Sequence, residues 1–142
     1  VARDSENVYF YVETREKITP HTDPNWMLLF IDTDRSSSSG WCGYDYIINA
    51  EVLDETTTTV KKNLGGWNWS AGARVPYRLS GNKMEIAVPR SALGLPAFGD
   101  FAFDFHWADN IQKTDDFIEF AISGDSAPDR RFNYRYETGP GK

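Results

Sequence analysis

Apolar and polar side chains alternate along most of the chain, and this period of two constrains the fold more than any other feature. The clearest run spans residues 101–107, where every second position carries an aromatic ring. Similar runs, separated by turns rich in Gly, Ser and Asn, predict strands throughout the chain. The predicted strands are 8–13, 26–32, 44–49, 56–61, 74–79, 83–88, 101–107, 117–122 and 132–136.

A helix is predicted at one place, a single turn over residues 89–93. Pro89 is tolerated in a first helical turn, and Gly94 is typical of a helix end. About nine short strands without a long helix indicate an all-β protein, so we predict an antiparallel, jelly-roll-like β-sandwich that forms one domain over residues 1–142. The side chains expected between the two sheets are Phe10, Phe30, Ile86, Phe103 and Phe105.

Size and charge exclude several classes of protein. A chain of 142 residues fits one domain, since two separate cores would each be marginal at this length. The 21 acidic and 15 basic residues give a net charge of −6, which argues against a module that binds the nucleic-acid backbone. No apolar run approaches the ~20 residues that a membrane helix needs. Cys42 is the single cysteine, so an intrachain disulfide is excluded and we expect a small buried side chain.

An acidic loop follows the predicted strand 26–32. Asp32 and Asp34 are two residues apart, so their carboxylates point the same way on an extended backbone, and Asp45 lies a little further along the chain. Hard cations such as Ca²⁺ prefer several oxygen ligands of this kind. The loop therefore predicts a calcium site formed by these three carboxylates. The alternative is a solvated loop whose Asp side chains form Asx-turns.

Three tryptophans lie in or beside glycine-rich segments: Trp41, Trp67 and Trp69. A sugar presents an apolar C–H face and a rim of hydroxyl groups, which suits a flat aromatic ring with polar neighbours. We expect Trp41 and at least one of the other two to be exposed and to flank a sugar-binding cleft. The alternative is that the rings are packed in the core.

Asp104 and His106 alternate with the aromatic positions of strand 101–107 and therefore share its other face. They could hydrogen-bond a sugar, contribute to an acid/base site, or simply be solvated. Asp115 and Asp116 are adjacent, so in an extended segment they point to opposite sides and do not form a glycosidase pair. The sequence thus indicates no catalytic residues.

Several segments together resemble family 9 carbohydrate-binding modules and related C-terminal modules of secreted bacterial polysaccharide-degrading proteins. The segments, in chain order, are ARDSENVYFYVET, LLFIDTDRSSSSGWCGYDYIIN, MEIAVPRSALGL, FAFDFHWADN and ISGDSAPDRRFNYRY. The resemblance implies a β-sandwich, bound calcium near Asp32 and Asp34, and glycan binding without catalysis by Trp41 paired with Trp67 or Trp69. Such modules usually begin with an earlier strand, so we expect this domain to lack its first strand or to obtain it from another chain.

The leading hypothesis is a non-catalytic carbohydrate-binding module with structural calcium. It would bind a poly- or oligosaccharide as part of a larger bacterial enzyme, secreted or on the cell surface, with no nucleic-acid or membrane partner. One alternative is an accessory β-sandwich that binds no sugar. Another is a haem-binding redox sandwich, similar to the dopamine-monooxygenase N-terminal group, with His106 and either Met27 or Met84 as ligands; it requires His and Met to face one pocket.

Overall fold

The computed structural model describes residues 1–128 and 132–139, and these form an almost entirely antiparallel β-structure. Eleven strands lie within the described residues, together with two short 3-10 helices, Arg90–Leu93 and Phe117–Ala121. The strands are β1 (Ala2–Arg3), β2 (Asn7–Glu13), β3 (Leu28–Asp32), β4 (Tyr46–Val52), β5 (Thr57–Gly65), β6 (Asn68–Trp69), β7 (Ala73–Ser80), β8 (Lys83–Pro89), β9 (Ala102–Asp109), β10 (Asp125–Ala127) and β11 (Tyr134–Glu137).

One curled sheet contains all of these strands, in the order β1-β2-β8-β7-β5-β4-β3-β9-β10, with β11 also paired to β9 and β6 to β5. The curl occurs at β7, whose first half (73–76) pairs with β5 and whose second half (77–80) pairs with β8. As a result β2 faces β9, and the Phe10 and Phe103 rings lie 5.6 Å apart although their strands are distant in the sheet. The predicted all-β sandwich is confirmed.

Two hydrophobic layers lie on opposite faces of β3, β4 and β9. In β3, Leu29 and Ile31 point between the two halves of the sheet, whereas Leu28 and Phe30 point outward. We call the first layer the inner core; its larger members include Val8, Phe10, Met27, Leu29, Ile48, Tyr77, Met84, Ile86, Phe103 and Trp107. We call the second the outer aromatic layer; it contains Leu28, Phe30, Trp41, Tyr44, Ile47, Ala108, Ile111 and Phe120, with Trp67, Trp69 and Phe117 against it.

The predicted core residues divide between these layers. Phe10, Ile86 and Phe103 are buried in the inner core as expected. Phe30 is also fully buried, but in the outer aromatic layer rather than between the sheets. Phe105 is half-buried against the inner core. Four of the five side chains are therefore buried as expected, and Phe105 is only half-buried. Of the four, Phe30 lies in a different layer from the one expected.

The local predictions also have mixed outcomes. The helical turn is confirmed as the 3-10 helix Arg90–Leu93, which ends at Gly94 with φ of +63°. The predicted strand 117–122 is wrong: this segment is the second 3-10 helix, because the Asp116 side chain accepts the amide of Ile118 and caps its start. Cys42 is exposed rather than buried, in a turn. Residues 129–131, between β10 and β11, lie outside the described residues.

Among the described residues, neither of the two short helices is long and apolar enough to cross a membrane.

Candidate functional site

The outer aromatic layer ends at the acidic loop, which connects β3 to β4. Alternation along β3 places Asp32 on the same face as Leu28 and Phe30, at the rim of this layer. Asp45 precedes β4 and shares the face of Ile47. The same loop carries Trp41 and Tyr44 into the layer. The predicted metal residues and the predicted ring are thus parts of one loop.

Asp32, Asp34 and Asp45 come together as the sequence predicts. Each offers a carboxylate oxygen, and these oxygens lie within 4.8 Å of one another. The Ser39 hydroxyl joins two of the acids, donating to Asp34 Oδ2 at 2.7 Å and lying 3.2 Å from Asp45 Oδ1. Asp45 Oδ2 accepts the amide of Thr33 at 2.9 Å. This set of hard oxygen donors fits a cation such as Ca²⁺.

The carboxylates of the cluster differ in electrostatic environment. Burial raises the pKa of Asp32 to about 7, and its neighbours Asp34 and Asp45 add to this effect while the Ser36 amide opposes it. The Ser39 hydroxyl lowers the pKa of the exposed Asp34 below its usual range. Crowded carboxylates raise one another's pKa unless a cation neutralises them. The alternative interpretation also has support, because the Ser36 amide donates to Asp34 Oδ1 at 3.0 Å, as in an Asx-turn.

Trp41 is buried, with 4% of its surface exposed, so the expectation that it forms an exposed platform is wrong. Its indole Nε1 donates to Asp115 Oδ1 at 2.7 Å, and its ring lies 5.3 Å from that of Phe30. The cause is the tight turn around it. Reciprocal backbone hydrogen bonds join Trp41 and Tyr44, and a Cβ on Gly40 would lie 2.0 Å from the Tyr44 carbonyl oxygen. The tight turn that Gly40 permits therefore directs the Trp41 ring into the outer aromatic layer and not toward solvent.

Trp67 and Trp69 are half-buried and keep part of their surface accessible. Trp67 lies in the loop between β5 and β6 with its ring 4.7 Å from Trp41, and Trp69 lies in β6 beside Asn63. The two rings are perpendicular, with centroids 5.5 Å apart and an interplanar angle of 88°. They form a corner on the surface of the outer aromatic layer, supported from beneath by Trp41.

Asp104 and His106 share one face of β9, as predicted, but neither is free for a ligand. Asp104 accepts two hydrogen bonds from the Arg135 guanidinium, at 2.7 and 3.1 Å. His106 is fully buried, so its expected place in a sugar site is wrong. Its ring stacks on Phe120 with centroids 4.4 Å apart, and its Nδ1 lies 2.8 Å from the Phe132 carbonyl oxygen. Burial lowers the pKa of this imidazole.

The haem hypothesis requires His106 and a methionine to face one pocket. Met27 and Met84 both lie in the inner core, whereas His106 packs on Phe120 in the outer aromatic layer. The β3–β9 part of the sheet separates the two sides. The structure therefore does not bring this ligand pair together.

Sequence reasoning missed the residues that cover the outer aromatic layer. Asp115 holds the Trp41 indole, and Phe117 and Phe120 project from the 3-10 helix onto the layer. The three-residue spacing of the two phenylalanines after Asp116 is the signal that could have identified a helical turn.

Comparison of the chain with protein-family models, with curated proteins and with solved structures gave no match in any of the three. The resemblance to carbohydrate-binding modules therefore stays a prediction.

Proposed function

We propose that this protein is a non-catalytic carbohydrate-binding domain whose ligand stacks on the corner formed by Trp67 and Trp69. The observation that carries the proposal is the partial exposure of these two rings above a buried aromatic base. An accessible ring fixed in orientation by packing from beneath loses little conformational entropy when a ligand binds. Trp41, which the sequence favoured as the platform, acts in this proposal as the support of Trp67.

The chemistry of the corner suits a sugar. One ring face can contact the C–H face of a pyranose, while the second ring, perpendicular to it, bounds the edge of the sugar. Asn68 is exposed between the two tryptophans; its Nδ2 donates to the Gly65 carbonyl oxygen at 2.9 Å, which leaves its second amide hydrogen and its Oδ1 for hydroxyl groups. Asp104 is paired with Arg135, so we assign it no acid/base role and the proposed function is binding alone.

The proposal includes a structural calcium ion held by Asp32, Asp34 and Asp45. Three clustered carboxylates support it, since a divalent cation would relieve their mutual repulsion. The ion would stabilise the loop that carries Trp41 and so act on the sugar site indirectly. By the resemblance, the domain would belong to a larger bacterial polysaccharide-degrading enzyme, secreted or on the cell surface.

A glycan array tests the proposal. Wild-type protein is expected to bind a restricted set of poly- or oligosaccharides, and Trp67→Ala and Trp69→Ala are expected to lose that binding. Phe98→Ala is the matched control, because it removes a ring that is 91% exposed at another place on the surface. Absence of binding by wild-type protein, or equal binding by all variants, would contradict the proposal.

The second candidate is an accessory domain that binds no sugar, and the burial of Trp41 favours it. A Trp whose indole is hydrogen-bonded to Asp115 and whose ring is 4% exposed is part of the core. If Trp67 and Trp69 complete the same core, then Trp67→Ala should destabilise the protein by the ~3–5 kcal/mol typical of buried Trp. A much smaller loss would favour the binding function.

A further inference from the structure

A cavity of about 510 Å³ opens beside the inner core, between the end of β2 and the end of β9. Its floor is apolar and contains Ile18, Met27 and Trp107, each with less than a tenth of its surface exposed. One wall is the end of β2 with the segment 14–19 that follows it, and the other is formed by the end of β9, by Asn110 and by β10. This size is within the range of small-molecule sites, ~300–1,000 Å³.

Hydrogen bonds hold the segment 14–19 of the first wall in place although it lacks regular secondary structure. The amides of Thr14 and Ile18 donate to the carbonyl oxygens of Asn82 and Gly81 at 2.8 and 3.0 Å. The carbonyl oxygen of Thr19 accepts the indole N–H of Trp26 at 2.8 Å. Hydrogen bonds thus hold both ends of the segment 14–19, at Thr14 and at Ile18 and Thr19.

The second wall is equally fixed. Asp109 Oδ1 accepts the Met27 amide at 2.8 Å, and the Asn110 amide donates to the Asn25 carbonyl oxygen at 2.8 Å. Met27 and Asn110 both have positive φ, +45° and +55°. Non-glycine residues in this conformation persist only where the surrounding structure enforces it, and they are common at binding sites. Burial raises the pKa of the Asp109 carboxyl.

Charged groups of both signs line the cavity, and their balance bears on the ligand class. Glu13 and Glu16 alternate with Arg15 and Lys17 on the first wall, so this wall has no net charge. Among the described residues, no ion pair involves Arg15 or Lys17, which leaves their donors available. The second wall adds the carboxylates of Asp109 and Asp125 and the amide of Asn110, so carboxylates outnumber basic groups in the lining. This excess disfavours an anion, whereas hydroxyl groups can donate to the carboxylates and accept from Arg15 and Lys17.

We propose that this cavity binds a single sugar-like ring without negative charge, with its C–H face on the apolar floor and its hydroxyl groups between the charged walls. The site shares no residue with the Trp67–Trp69 corner. The inference goes beyond the proposed function, because it is argued from the cavity and does not require the Trp67–Trp69 corner to bind glycan.

An NMR titration of backbone amide signals tests the inference, with glucose, xylose and galactose as probes. We expect saturable shifts confined to both walls, 13–19 and 109–110 with 125–127, and half-saturation at about 1–30 mM, as a small wet site allows. Glucuronate carries a negative charge and should bind several-fold more weakly than glucose. Absence of saturable wall shifts at about 100 mM of every neutral probe would overturn the inference, as would tighter binding of glucuronate than of glucose.

Two variants locate the binding. Thr19→Trp fills the cavity from an exposed position and should weaken binding at least ~10-fold. The double variant Lys17→Met with Arg15→Met removes hydrogen-bond donors without adding bulk and should weaken binding ~3- to 10-fold. Trp67→Ala is the control and should leave the wall shifts unchanged. Unaltered binding in both cavity variants would overturn the inference. The Trp67 and Trp69 indole signals report the other site in the same titration, so either proposal can fail alone.

Discussion

The inner core and the outer aromatic layer lie on opposite faces of β3, β4 and β9, yet they are closed in different ways. Strands cover the inner core: β2, β7 and β8 contribute most of the side chains that face β3 and β9. Loops and one 3-10 helix cover the outer layer, with Trp41, Trp67 and Phe120 from three distant parts of the chain. Hydrogen-bonded strands are a stiffer cover than loops, so the two layers should differ in how they respond to loss of a ring.

The largest expected effect on stability is the loss of a buried aromatic ring, and removing one ring from each layer allows the two layers to be compared. Phe103→Ala should cost ~3–5 kcal/mol of the free energy of unfolding, because the strands around the inner core cannot move to fill the cavity. Phe120→Ala should cost less than Phe103→Ala, because its 3-10 helix can shift toward the space. Urea denaturation measures both. Equal losses would show that the loop cover is as rigid as the strands.

Calcium should act on the outer layer through the acidic loop. If the ion binds only the folded state, a concentration 100 times the Kd raises the free energy of unfolding by ~2.7 kcal/mol, and the melting temperature rises with it. Chelator should reverse the gain and Asp34→Asn should abolish it. Glu85→Gln removes an exposed carboxylate from β8 and serves as the control. A melting temperature that is insensitive to calcium and chelator would leave the solvated-loop interpretation.

His106 gives the outer layer a pH dependence. Burial lowers the pKa of His106 in the folded protein, so below pH ~6.5 the unfolded chain binds a proton that the folded protein does not. The stabilisation from neutral His106 is complete above this pH and is lost as the pH falls toward the folded pKa. Asp32, with its raised pKa, contributes the opposite slope, so the comparison must be made between variants.

The measurement is the melting temperature from pH 7.5 to 5 for wild-type protein and for His106→Phe, in the presence of chelator. The variant keeps a ring to stack on Phe120 and removes the titration. Wild-type protein is expected to lose more stability on acidification than the variant. Parallel pH curves for the two proteins would contradict a buried neutral imidazole.

Structural features that depend on strands could be predicted from the sequence, whereas features that depend on the path of a loop were missed. Alternation identified the sandwich and the faces of β9, because side-chain direction in a strand follows position along the chain. The acidic cluster was predictable for the same reason, since Asp32 continues the alternation of β3. Trp41 was misassigned because a glycine-rich loop is equally compatible with an exposed ring and with a tight turn that buries it.

Burial of His106 could not be predicted, because its cover comes from Phe120, fourteen positions further along the chain and in a segment interpreted as a strand. The cavity beside Met27 was missed for a related reason: its walls are far apart in sequence and its residues carry no motif. Alternation predicts the direction of side chains within one strand at a time. It therefore gives no information on the contacts between loops that define both candidate sites.

The claim that the outer layer has a buried base and a sugar-binding rim is tested most directly by calorimetric titration of Trp67→Ala with the best glycan from the array. We expect binding ~5- to 150-fold weaker than wild type, the equivalent of ~1–3 kcal/mol for one stacked ring, with a free energy of unfolding that falls by less than the ~3–5 kcal/mol of a buried Trp. Undiminished affinity, or a loss of stability as large as that of a core ring, would contradict the account.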